Sequence, residues 1–157
     1  MGKERSLKIR QAAIDDIPLI LKFIKELSEY EKLSSSVTAD EALLKENLFG
    51  EKKYAEVIIA EFDGEPAGHA VYFFNFSTFV GKPGIYLEDI YVRPQLRGKG
   101  IGKALLRHLI QLAKDKNLGR VEWAVLDWNK PAINFYRKLG AVSMDDWTVF
   151  RLTEDKF

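Results

Sequence analysis

The chain of 157 residues contains no cysteine. That excludes a disulfide scaffold, a thiolate metal site and a cysteine nucleophile, and it accords with a reducing compartment. Histidine is scarce too. His69 and His108 lack metal-like partners at useful spacing, so no metal is expected and both read as surface or packing residues. Charge of one sign is not in excess: the net value is +1. No global field recruits nucleic acid or an anionic membrane, and any anion site must be local. No run approaches the ~18 apolar residues of a membrane span. The start, "MGKERSLKIR", carries no apolar core of signal-peptide length. The expectation is a cytoplasmic protein with neither nucleic acid nor membrane as a partner. Gly2 and Ser6 fit the short myristoylation pattern, which recurs by chance.

What is present is the mixture of a globular protein: 46% hydrophobic and 30% charged residues, enough for one domain over residues 1–157 with a real core. Leu7–Ala12 alternates as a short strand. Asp15 or Asp16 can cap a following helix whose face carries Ile17, Ile20, Leu21, Ile24 and Leu27. Thr38 and Glu41 fit a capping box for a second helix ending near Gly50. Two strands flank an Asp63-Gly64 turn. "IYLEDIYV", residues 85–92, is a strand, followed by a glycine-rich turn and a helix to about Lys116. "RVEWAVLDW" reads as a strand, Pro131 opens a helix through Lys138, and "WTVFRL" reads as a last strand. An antiparallel front half followed by a β-α-β crossover predicts an α/β fold with a mixed sheet and helices packed on it.

The turn "LRGKGIGKAL", residues 96–105, raises the functional question. A strand feeding glycines at a helix start converges backbone N–H groups on an anion, and the helix dipole favours negative charge there. Arg97, Lys99 and Lys103 add charge-assisted donors. The nucleotide P-loop does not fit, because Gly98 to Gly102 is one residue short and Ala104 replaces the magnesium-binding hydroxyl. The dinucleotide fingerprint does not fit either, because Lys103 takes its last glycine position. The pattern that fits is R-x-x-G-x-G, formed by Arg97, Gly100 and Gly102.

With "DIYVRPQLRGKGIG" before the helix and "N-x-x-A-x-x-F-Y-x-x-x-G" after it, the chain resembles the GNAT family of acetyl-CoA-dependent N-acetyltransferases from about Leu7 to Leu152. "YLED", "RGKGIG", "ELSEYEKL" and "WN-x-P-A-I-N-F-Y" resemble its diamine acetyltransferase branch, which includes spermidine/spermine and thialysine acetyltransferases. "STFVGKPGIYLEDIYV" and "AVLDWN" are closer to the thialysine side. The resemblance implies a mixed, mostly antiparallel sheet of six or seven strands flanked by about four helices, with a splayed parallel strand pair. It also implies a homodimer, a small primary amine as acceptor and acetyl-CoA as co-substrate.

Acetyl transfer needs the amine as free base, yet a lysine-like amine of pKa near 10.4 is neutral in only about one molecule in 10³ at pH 7. A nearby carboxylate therefore helps. Glu88 and Asp89 stand inside an apolar strand, where acids are depleted. Alternation puts them on opposite faces unless a bulge intervenes. They are either strand carboxylates reaching solvent or a lysine, or groups that bind the ammonium and take its proton. By resemblance, Glu88 is the substrate-binding acid, and Tyr136 is the acid that protonates the departing thiolate. The backbone of Ile90, Tyr91 and Val92 is expected to bond the acetyl-pantetheine arm like an added strand. Gly98, Lys99, Gly100, Ile101, Gly102 and Lys103, with Arg97, would hold the pyrophosphate. Asn129, with Lys130, Pro131 and Ala132, matches the family's pantetheine contact. Tyr30 and Glu31, with Glu122, Trp123 and Ala124, match its amine-binding segments. Ser77 and Phe79 lie where spermidine-type members carry an acid and a tryptophan, which favours a shorter amine with one cationic end. The rival readings are a peptide N-acetyltransferase and an acyl-CoA sensor without turnover.

Overall fold

The computed structural model describes residues 5–157; Gly2 of the myristoylation pattern lies outside them. The chain divides into two compact units, one through Ala124 and one from Val125 to Phe157. In the first unit the order is β1 (Leu7–Gln11), α1 (Ile17–Tyr30), α2 (Glu41–Phe49), β2 (Glu56–Phe62), β3 (Glu65–Ser77), β4 (Lys82–Val92), α3 (Ile101–Asp115) and β5 (Val121–Trp123). The sheet order is β1-β2-β3-β4-β5. Every neighbouring pair is antiparallel except β4 with β5. The mixed sheet and the parallel pair thus stand as the sequence implies, but with five strands among the described residues rather than six or seven.

Local chemistry explains the elements. Asp63 (φ 53°) and Gly64 (φ 84°) both take left-handed backbone, which matches the twist of the β2–β3 hairpin. α1 begins after a 3-10 turn at Ile14–Asp16, with Pro18 in its first turn. Asp16 does not cap it through a helical N–H. Its carboxylate instead binds Arg10 at 2.7 and 2.9 Å and the Ala13 N–H at 2.7 Å. Arg10 also donates to Glu61 at 2.7 Å, so one guanidinium ties β1, β2 and the entry to α1. The cap of α2 is Asp40, whose carboxylate accepts from the Leu43 N–H at 2.8 Å; Thr38 lies two residues too early.

The core forms on both faces of the sheet. Ile20 of α1 and Leu48 of α2 join Val57, Ile59 and Val71 in one cluster. α3 packs on β4 and β3, burying Ile101, Leu105, Leu106, Leu109 and Ala113. His69 is fully buried on β3 with its ring 5.2 Å from Phe23, edge-on. Burial pushes its pKa down to about 3, so it is a neutral packing group. His108 is exposed on α3.

The second unit holds α4 (Lys130–Lys138). Asn129 caps it, its Oδ1 accepting from the Ala132 N–H at 3.3 Å, and Pro131 fits the first turn because it has no N–H to leave unbonded. Gly140 ends the helix at φ 91°. Residues 147–152, "WTVFRL", are not a strand, and the strand read over 120–128 contracts to Val121–Trp123.

Candidate active site

The glycine turn has the shape an anion requires. β4 ends at Val92, a 3-10 turn spans Pro94–Leu96, and Gly98 and Gly100 then adopt φ of 76° and 81°. Left-handed backbone strains any residue with a Cβ. Gly100 is the N-cap of α3, and the first helical bond runs from the Ala104 N–H to the Gly100 carbonyl at 3.0 Å. The N–H groups of Ile101, Gly102 and Lys103 precede that bond, so they lie in the turn where a helix has no internal acceptors. At Gly102 an added Cβ would meet only Val92 Cγ2, at 3.8 Å. Lys99 and Lys103 are exposed at the same turn. Arg97 donates from Nε to the Val92 carbonyl at 3.0 Å. Its guanidinium lies 4.5 Å from the Tyr30 ring and 5.9 Å from the Tyr91 ring. Three first-turn amides and three cationic side chains are the donor set a diphosphate needs.

Next to this turn the two parallel strands separate. β5 pairs with β4 only through Ile85–Val121, Tyr86–Glu122 and Leu87–Trp123. β4 runs on to Val92, held by β3 on its other side. Ile90, Tyr91 and Val92 therefore lie past the point where the β5 ladder stops. Ala124 is exposed just past β5.

At the splay point β4 carries a bulge. Val71 pairs with Asp89 and Tyr72 with Leu87, leaving Glu88 as the extra residue. A bulge breaks the two-residue alternation, so the adjacent carboxylates are not forced to opposite faces. Their charges interact. Asp89 is pushed up to about 6, first by burial and then by Glu88 and Glu31. Burial also raises Glu31, the C-cap of α1. Tyr86 is raised by burial and by Glu88 and Glu122. Glu31, Glu88 and Asp89 thus share one acidic region, with Tyr86 and Glu122 beside it. Glu122 is engaged by Arg120, Nε to Oε1 at 2.9 Å. That partner offsets its charge and suits it to a wall more than to an ammonium. Neither Tyr86 nor Arg120 stands out in the sequence, because their roles come from cross-strand neighbours.

Two further residues are settled by their contacts. Ser77 is buried, its hydroxyl accepting from the Val80 N–H at 3.2 Å. Phe79, in the β3–β4 turn, is 95% exposed. In the second unit, Tyr136 is half-buried on α4, its ring 5.6 Å from Phe135. Lys130, Pro131 and Ala132 form the first turn of that helix. No group of three or more metal-ligating side chains occurs among the described residues, and none of their helices is long and apolar enough to cross a membrane.

The model of the acetyltransferase (GNAT) family matches residues 21–141. A thialysine N-epsilon-acetyltransferase of Sus scrofa is 41% identical, covering 93% of this chain and 92% of its own length. The L-ornithine N5-acetyltransferase of Arabidopsis thaliana is 30% identical, covering 98% and 87% respectively. Among solved structures, an integron cassette protein from V. cholerae superposes with a TM-score of 0.79 at 27% identity, covering 96% of this chain and 94% of that one.

Proposed function

The chain belongs to the acetyltransferase (GNAT) family, and from that membership we propose that it moves an acetyl group from acetyl-CoA to the primary amine of a small molecule of the thialysine, lysine or diamine class. The observation that carries this reading is the bulge at Glu88. It sets Glu88 and Asp89 just past the point where β4 and β5 part, and Asp89 feels the charges of Glu88 and Glu31. A carboxylate cluster of that kind attracts an ammonium.

Acetyl-CoA supplies the thioester. Arg97, Lys99, Lys103 and the amides from Gly98 to Lys103 hold its diphosphate, and the backbone of Ile90, Tyr91 and Val92 extends the sheet along its pantetheine arm. Asn129, with Lys130, Pro131 and Ala132, stands at the family's pantetheine-contact motif. Glu88 and Asp89 receive the ammonium and, directly or through water, its proton. Tyr30, Glu31, Glu122, Trp123 and Ala124 shape the amine site. The amine nitrogen attacks the thioester carbon, the tetrahedral adduct loses its extra N–H proton to water, and the C–S bond breaks as the sulfur takes the phenolic proton of Tyr136, in the role the family gives that position; the phenolate then regains a proton from solvent. A phenol near pKa 10 is protonated at pH 7 and suited to that donation. With both substrates held together, no protein nucleophile is required. The two units serve one acetyltransferase domain, supported by a family match that spans both. A cytoplasmic homodimer completes the reading, supported by the absence of cysteine and the commonness of symmetric pairs.

The test is thiol release from acetyl-CoA against thialysine, lysine, ornithine, putrescine, spermidine and a lysine-bearing peptide. A marked preference for one free amine is expected. Preference for the peptide, or thiol release independent of any amine, would overturn the small-amine assignment.

A further inference from the structure

We propose that Tyr30 is a positioning residue for the cofactor: its ring carries the Arg97 guanidinium at the place where the diphosphate of acetyl-CoA meets the glycine turn. This rests on the acetyl-CoA reading above and assigns Tyr30 a task other than amine contact.

Arg97 is exposed and flanked by Gly98, a setting in which a long side chain keeps most of its rotamers. Here it is fixed from three directions. Its Nε donates to the Val92 carbonyl at 3.0 Å. Tyr30 lies 4.5 Å from the guanidinium carbon and Tyr91 5.9 Å. Tyr91 is itself held, buried with its ring 5.8 Å from Phe23. An arginine bonded through Nε keeps its two terminal nitrogens for a phosphate. Ordering it before the ligand arrives removes an entropic cost from binding. Tyr30 makes the shorter of the two ring contacts and comes from a different element, the last turn of α1. The next residue, Glu31, is one of the carboxylates that raise Asp89. The end of α1 therefore bears on the phosphate site through one residue and on the acidic cluster through its neighbour.

The experiment measures CoA binding by calorimetry for the wild type, Tyr30→Phe, Tyr30→Leu, Arg97→Ala and the double variant Tyr30→Leu/Arg97→Ala. Tyr30→Leu should weaken CoA about two- to fivefold, the range for an exposed cation–π contact. Tyr30→Phe keeps the ring and should stay near the wild type. On the Arg97→Ala background the leucine should add nothing. S-acetylpantetheine, which lacks the diphosphate, provides a readout that general damage would not spare. In Tyr30→Leu, kcat/KM for acetyl-CoA should fall about two- to fivefold further than that for S-acetylpantetheine, beyond any loss the two thioesters share through the amine site. Equal losses on the two thioesters, additive losses in the double variant, or a change confined to amine KM would each overturn the proposal. Failure of the wild type to bind CoA at all is a different result, and it would remove the acetyl-CoA reading itself.

Discussion

Replacing Asp89 with asparagine should make the ligand-free protein more stable at neutral pH. The carboxyl ionises near 3.8 in an ordinary setting and at about 6 in the fold, raised first by burial and then by Glu88 and Glu31. Between about pH 4 and 6 the folded chain holds more protons at this site than the unfolded chain, so its contribution falls as pH rises. Above about 6 the deficit is constant. Two pKa units correspond to about 3 kcal/mol, to be taken as an upper figure for a group of this kind. Asparagine keeps the shape and removes the charge, so most of that deficit should return. At about 2–4 °C per kcal/mol for a chain of this size, the melting temperature should rise by roughly 4–10 °C at pH 7.5. At pH 4 the two proteins should melt nearly together. The assay is thermal unfolding of wild type and variant from pH 4 to 8, without ligand. Subtracting one curve from the other cancels titrating groups that do not interact with Asp89, such as Asp16, which Arg10 holds low. A difference that does not change with pH would refute the reasoning, as would a variant less stable than wild type at pH 7.5. Amine turnover should fall in the same variant, because the carboxylate that strains the fold is one proposed to receive the ammonium.

Two other outcomes follow from the site. Tyr136→Phe should lower kcat at least tenfold, the lower part of the range for acid catalysis, and leave CoA affinity by calorimetry nearly intact; unchanged turnover would remove the proton-donor role. Gly100→Ala should cost on the order of 1–2 kcal/mol in unfolding free energy, the strain of left-handed backbone, and weaken CoA. Gly102→Ala, where an added Cβ meets ordinary van der Waals distance, should not lower the melting temperature.

The strand–turn–helix unit was legible because its signals are local. Glycines at 98 and 100 are demanded by φ values that other residues adopt with strain, and the apolar face of α3 repeats within the helix. The Asp63-Gly64 turn was readable for the same reason. The bulge at Glu88 was not. It is a property of how β4 pairs with β3, and alternation within one strand says only that a break is allowed. The α2 cap was misread for a related reason. Thr38 and Glu41 satisfy the spacing of a capping box, but Asp40 is the residue adjacent to the first helical turn and reaches the Leu43 N–H. "WTVFRL" has the composition of a strand, but strand composition describes a fit to neighbours, and no ladder forms there. Pairings across elements, such as Tyr30 with Arg97 or Arg120 with Glu122, join residues that no local period connects.

The half-paired end of β4 bears on how the protein behaves in a test tube. Past Leu87 the strand keeps β3 on one side, and its ladder with β5 has stopped. A sheet margin of that kind is a template for the strand of another molecule. Arg97 already occupies the Val92 carbonyl, and the charged bulge at Glu88 disrupts flat pairing at the other end, so the stretch is guarded at both ends. The remaining guard is soluble. A pantetheine arm laid along Ile90 to Val92 would shield that margin in proportion to its concentration. Purified stocks stripped of CoA should therefore self-associate first, and the co-substrate doubles as a reversible solubiliser of the enzyme that consumes it.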